Sequence, residues 1–106
     1  MVNNILTAAG VPFRRGRFTG KPKPSAYVVY MDDVSTDGSD EGPALYAHDI
    51  TLELYTVKPD GQAEAAIEAA ITAAGLQWTK QDLYWLETEQ LYQVIYEFSY
   101  TEKRRA

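Results

Sequence analysis

The sequence predicts an α+β fold with the element order α-β-β-α-β-β, a mainly antiparallel sheet and helices packed on one face of it. Three observations carry this. Tyr92, Val94, Tyr96, Phe98 and Tyr100 alternate with Gln93, Glu97 and Ser99, the period of two that marks a strand with two unlike faces. Ile50, Leu52 and Leu54 alternate with Asp49, Thr51 and Glu53 in the same way. Between these runs, Ala63, Ile67, Ala70, Ile71 and Ala74 recur at helical spacing behind Asp60, a residue suited to a helix N-cap. A chain of 106 residues is expected to form a single domain over residues 1–106.

The remaining elements follow in order. Val2, Ile5, Leu6 and Ala9 are spaced for a short helix that stops at Gly10, ahead of Pro12. Residues 13–24 form a basic arm, extended or irregularly stranded, because glycine and proline break any longer pattern. Residues 27–31 are a continuous apolar, β-prone run, which predicts a central strand buried on both faces. Residues 35–43, small, polar and acidic, predict a hairpin connection. The next strand is expected over about residues 46–57, then a turn at 58–61 and a helix running to Gly75. That helix is alanine-rich, so it should approach the sheet closely, with Glu64 and Glu68 facing water. The last third predicts a hairpin: a strand at 83–86, a polar connection at 87–90, and a long strand at 91–101.

Composition excludes several function classes. No cysteine is present, which removes disulfides, thiolate zinc sites and cysteine nucleophiles. No apolar run approaches the roughly 20 residues that span a bilayer, and the N-terminus lacks the pattern of a signal peptide, so a soluble protein with no membrane partner is expected. The single histidine, His48, falls in phase with Ile50 and Leu52 and has no serine in a strained glycine-rich turn to activate, which predicts a structural role. Asp33, Ser35, Asp37 and Gly38 match the opening of a calcium-binding loop, but the position that must supply a bidentate glutamate is Ala44. Asp32 and Asp33 project to opposite faces of a strand and cannot act as an acid/base pair. Glycines at 10, 16, 20 and 38 form no phosphate-binding fingerprint. No catalytic residue, cofactor or metal is expected, and the chain reads as a non-enzyme.

Function is therefore expected on surfaces. The net charge of −5 is unevenly distributed. Arg14, Arg15, Arg17, Lys21 and Lys23 make the arm basic, the stretch 32–43 is acidic through residues that include Asp37, Asp40 and Glu41, and residues 102–106 form a basic C-terminal tail. Charges separated in this way suit contacts between copies of one chain. The arm, with Phe13 and Phe18 interleaved, also carries the residue types of a nucleic-acid contact, but a pI near 4.7 disfavours a free DNA-binding domain. Eight tyrosines in so short a chain exceed what one core needs, so a sheet carrying Tyr27, Tyr30, Tyr55, Tyr84, Trp85, Tyr92 and Tyr96 is expected to offer a self-association surface, with Tyr84 and Trp85 candidate interface residues along with the charged groups.

The residues that carry a resemblance are Pro24 leading into Tyr27-Val28-Val29-Tyr30, an Asp/Gly/Ser loop, Ile50-Thr51-Leu52-Glu53-Leu54-Tyr55-Thr56, the alanine-rich helix, Trp78, and the string from Glu87 to Phe98. Over nearly the whole chain this pattern resembles the tail-terminator, or tail-completion and head–tail joining, proteins of siphophages and prophages. The resemblance implies an α+β subunit that assembles with itself as a ring, commonly a hexamer, on the tail tube protein and docks to the head connector or stopper protein. It implies a virion location at the head–tail interface after assembly in the host bacterial cytoplasm, with at most indirect contact with DNA in a channel. Two other readings are a head–tail connector or stopper protein and a small α+β module that binds a ligand or peptide.

Overall fold

The computed structural model describes residues 1–19, 23–37 and 44–104. The elements are α1 (Val2–Ala9), β1 (Phe13–Arg15), β2 (Ala26–Asp37), β3 (Ala44–Thr56), α2 (Gly61–Ala73), β4 (Trp78–Lys80), β5 (Tyr84–Leu86) and β6 (Leu91–Arg104). The α-β-β-α-β-β order holds, with two short strands added to it, β1 in the arm and β4 after α2. The sheet order is β1-β2-β3-β6-β4, with β5 also paired to β6. All pairings are antiparallel except β1 with β2.

Alternation sorts every strand residue onto one of two faces. On the helix side, Val28, Ile50, Leu52, Leu54, Val94, Tyr96 and Phe98 form a single cluster with Val2, Ile5 and Leu6 of α1 and Ala63, Ile67 and Ile71 of α2. Both helices therefore cover one face, as the periodicity predicts. The helix ends are chemically explicit. The Ala63 amide donates to the Asp60 carboxylate at 3.0 Å, and Gly10 closes α1 with a left-handed φ of 77°, donating to the Leu6 and Thr7 carbonyls.

Five expectations need correction. β3, not β2, is the central strand, because β1 covers β2 only from Val28 to Tyr30; Tyr27, Val28 and Val29 are nonetheless buried, as a strand packed on both faces requires. Ser35 to Asp37 belong to β2 rather than to the connection, and Lys103 and Arg104 belong to β6 rather than to a tail, since β3 pairs with both neighbours to their ends. Ala74 is exposed, because α2 stops at Ala73. Finally, Glu64 and Glu68 do not simply face water. β4 brings Lys80 under α2, where its ammonium lies 2.7 Å from Glu64 and 2.8 Å from Glu68.

β4 and β5 are two parts of one interrupted edge. Lys80 pairs with Tyr96 and Tyr84 with Gln93, so residues 81–83 stand opposite only Val94 and Ile95. The extra residue makes a bulge, with the Gln81 amide donating to the Ile95 carbonyl at 2.9 Å. The bulge reverses the alternation: Trp78 and Lys80 face the helices before it, and Trp85 faces that side after it.

Candidate functional site

Past Ile50 the helix-side row turns polar, and the three long strands continue as a ribbon. Asp32 on β2, His48 on β3 and Glu102 on β6 share this row. His48 Nδ1 lies 2.9 Å from Asp32 Oδ1, Nε2 lies 3.2 Å from Glu102, and the ring stacks on Tyr100 at 4.4 Å. The ring, held on both nitrogens and one face, ties three strands together. Asp33 projects to the other face and is exposed, as expected. Asp33, Ser35 and Asp37 lie in extended strand, so they cannot wrap a calcium ion as a loop would. Among the described residues no group of three or more His, Asp or Glu side chains is placed to hold a metal.

The sheet face away from the helices carries the candidate site. Phe18, just after β1, packs against Tyr27 with ring centroids 4.9 Å apart, and Tyr27 stacks on Tyr55 at 5.3 Å. The Arg14 guanidinium sits 5.1 Å over Phe18 and the Lys23 ammonium 5.6 Å over Tyr27. Gln93 donates to the Tyr55 hydroxyl at 3.1 Å. Burial pushes that hydroxyl's pKa up from its ordinary value, the Gln93 bond pulls it down, and the nearby Glu53 charge raises it further; the net shift is upward. Tyr55 therefore stays a neutral part of the floor.

Phe18, Lys23, Tyr27 and Tyr55 line an open groove of about 600 Å³. One wall is basic, with Arg17 and Lys23; Glu53 on β3 and Glu89 in the β5–β6 turn stand opposite; Leu86 and Leu91 extend the apolar floor. The arm and the last hairpin, far apart in sequence, thus meet across one face. Arg14 and Arg17 are exposed beside this groove, whereas Arg15 is exposed on the helix side, opposite Tyr30. Tyr84 and Trp85 do not form one patch. Tyr84, 64% exposed, is on the groove side beside Gln93, while Trp85 is on the helix side, 4.8 Å from Tyr92, with its indole N–H donating to Glu87 at 2.6 Å.

Lys21, Asp40 and Glu41 lie outside the described residues. Asp37 ends β2 at the far end of the ribbon. From Val29, which pairs with Arg14, to Asp37, β2 spans roughly 26 Å at the usual strand rise. Asp37 therefore stands well away from the arm along β2, whereas Asp32 and Asp33 lie within a few residues of the position that pairs with Arg14. Sequence reasoning missed the groove itself, and with it Glu53, Leu86, Glu89 and Leu91. The tyrosine excess and the parity of the two strands were the available signals; the crossing of arm and hairpin was not.

No family model and no curated protein matches the sequence. Among solved structures, the fold is similar to that of a chain from the virion of a native gene transfer agent particle, with a TM-score of 0.61 and 18% sequence identity over 95% of this chain and 83% of that one.

Proposed function

We propose that the chain is a structural subunit of a tailed-phage type of particle: a tail terminator, or tail-completion protein, that closes into a ring on the tail tube and docks to the head connector. The observation that carries the reading is the fold likeness to a chain from a gene transfer agent virion, which extends over 95% of this chain. Two features of the molecule support it. A basic arm and an acidic stretch are separated along the sequence, which suits the two different patches of a heterologous contact that closes by rotation. The sheet face away from the helices presents an open groove with tyrosines, apolar side chains and both signs of charge rather than a convergent set of acid and base groups.

The test is the mass in solution across a concentration and salt series, with and without assembled tail tubes. A closed oligomer, a hexamer of the 11.9 kDa chain, is the expected result. A mass that stays at one chain under every condition, tubes included, removes the terminator role and leaves that of a monomeric connector component.

A further inference from the structure

We infer that copies of this chain join through the ribbon: the outer edge of β2 in one copy pairs, as a parallel strand, with the outer edge of β6 in the next. The inference rests on the ring reading and names its contact. Among the described residues, β1 covers β2 only from Val28 to Tyr30, and β4 and β5 cover β6 only as far as Phe98. Asp32 to Thr36 and Ser99 to Lys103 are therefore bordered by a strand on the β3 side alone. The covered parts fix where the backbone groups point. The Val28 amide donates to the Pro12 carbonyl and the Tyr30 carbonyl accepts from Gly16, so even-numbered residues of β2 aim their polar groups outward. The Ile95 carbonyl accepts from Gln81, so odd-numbered residues of β6 do the same. Alternation then places Asp32, Val34 and Thr36 on one edge, and Ser99, Thr101 and Lys103 on the other, each offering donors and acceptors to a further strand.

Direction, facing and charge select a second copy as that strand. β2 and β6 are each antiparallel to β3, so they run the same way, and rotation about an axis along the ribbon brings a neighbour's β6 beside β2 as a parallel strand. The outward groups belong to helix-side residues on β2 and to open-side residues on β6. Opposed residues of a parallel ladder share a face while only one of the two points across, so these edges mesh without turning either sheet over. Charge agrees with this choice. Asp33 and Asp49 stand directly opposite each other on the open face, both exposed, and among the described residues no cation pairs with either. Lys103 is exposed on that face and makes no ion pair, but within its own chain it lies two strands and four positions from Asp33. Set side by side, the two edges bring a neighbour's Lys103 within a diagonal pair's reach of Asp33, whereas two β2 edges would bring like charges together. The carboxylates on the other face, Asp32 and Glu102, are already held by His48. Paired in this way, every copy turns its groove to the same side of the ring.

Proline substitution and a charge swap test the contact by sedimentation. Val34→Pro and Thr101→Pro each remove an outward N–H and no ladder bond of their own chain, so each variant is expected to keep the parent's circular dichroism and to self-associate about tenfold or more weakly. The charge swap leaves the backbone intact, and it decides the matter should a proline unfold the chain. Asp33→Lys and Lys103→Asp are each expected to weaken association about fivefold, and the two together to restore it to within about twofold of the parent. Asp33→Lys also relieves the repulsion from Asp49 inside its own chain, so its weaker association cannot come from lost stability. A folded proline variant that associates like the parent overturns the inference, as does a double swap that recovers nothing. In both cases an assembled parent leaves the ring reading standing. A parent that is monomeric even on tail tubes removes the inference and the ring reading together.

Discussion

Tyr96 shows how much one side chain can organise. It is fully buried, and its hydroxyl donates to Glu68 Oε2 at 2.7 Å. Burial, and then the neighbouring Glu68 carboxylate, push its pKa far above the ordinary tyrosine value, so the hydroxyl remains a donor at any working pH. Burial raises the pKa of Glu68, but the hydrogen bonds from Lys80 and Tyr96 outweigh it and hold the carboxyl below its ordinary value. The hydrogen bonds to Glu64 and Glu68 hold Lys80 above its own. Since the folded pKa of Glu68 is depressed, its contribution to stability is present above the unfolded value and is lost as pH falls through the folded one. Glu68→Gln should therefore melt below the parent at pH 7 and converge with it in acid; a gap that stays constant down to the acid transition would show that charge is not the cause. Gln90 makes a separate case. Its φ of 56° is left-handed and it closes the β5–β6 turn, its amide donating to the Leu86 carbonyl at 2.8 Å. Gln90→Gly relieves that conformation and should raise stability by about 0.5–1 kcal/mol, read as a higher midpoint in urea.

At the scale of elements, α2 is attached by its alanine face, its cap and the β4 lysine together. Asp60 stands as N-cap and Glu64 in the first turn, both favourable at the positive end of the helix. Asp60→Ala should cost about 1 kcal/mol in thermal or chemical denaturation, and Asp60→Asn only a fraction of that. Equal losses in the two variants would indicate that the carboxylate's charge, not its hydrogen bond to Ala63, does the capping. The β3 register explains the ribbon in the same terms. β3 pairs with β2 from Thr56 to Leu45 and with β6 from Thr56 to Ala44, so all three strands run to nearly the same height. Beyond the helical layer, the His48 tie between Asp32 and Glu102 joins the side chains of its outer strands across the middle one.

For the whole molecule, 51 Å along its longest axis, the proposed self-assembly is testable through charge. Reversing Asp37, Asp40 and Glu41 together should weaken assembly, and the parent's association should itself weaken as salt screens exposed charges over about 10 Å at 0.1 M. Sedimentation of the triple variant checks the first expectation. Unchanged association would remove the acidic end from the interface. A salt-insensitive oligomer would instead place the binding energy in apolar and backbone contacts.

The sequence alone determined the parts whose physics is local. Alternation in β3 and β6, the capped alanine-rich helix and the glycine stop at Gly10 were legible because strand parity, helical period and cap chemistry depend on residues a few positions apart. The burial of His48 on the helix-side face was legible from its phase with Ile50 and Leu52. Tertiary structure decided what depends on distant segments meeting. β4 is only three residues long, too short to carry a period, yet it sets Lys80 between Glu64 and Glu68 and so turns two side chains expected in water into an ion-paired support for Tyr96. The bulge at 81–83 decided that Tyr84 and Trp85 face opposite ways, because one inserted residue reverses every side chain after it. The groove exists only because β1 and the last hairpin flank the same sheet face, a matter of strand order that no local pattern encodes.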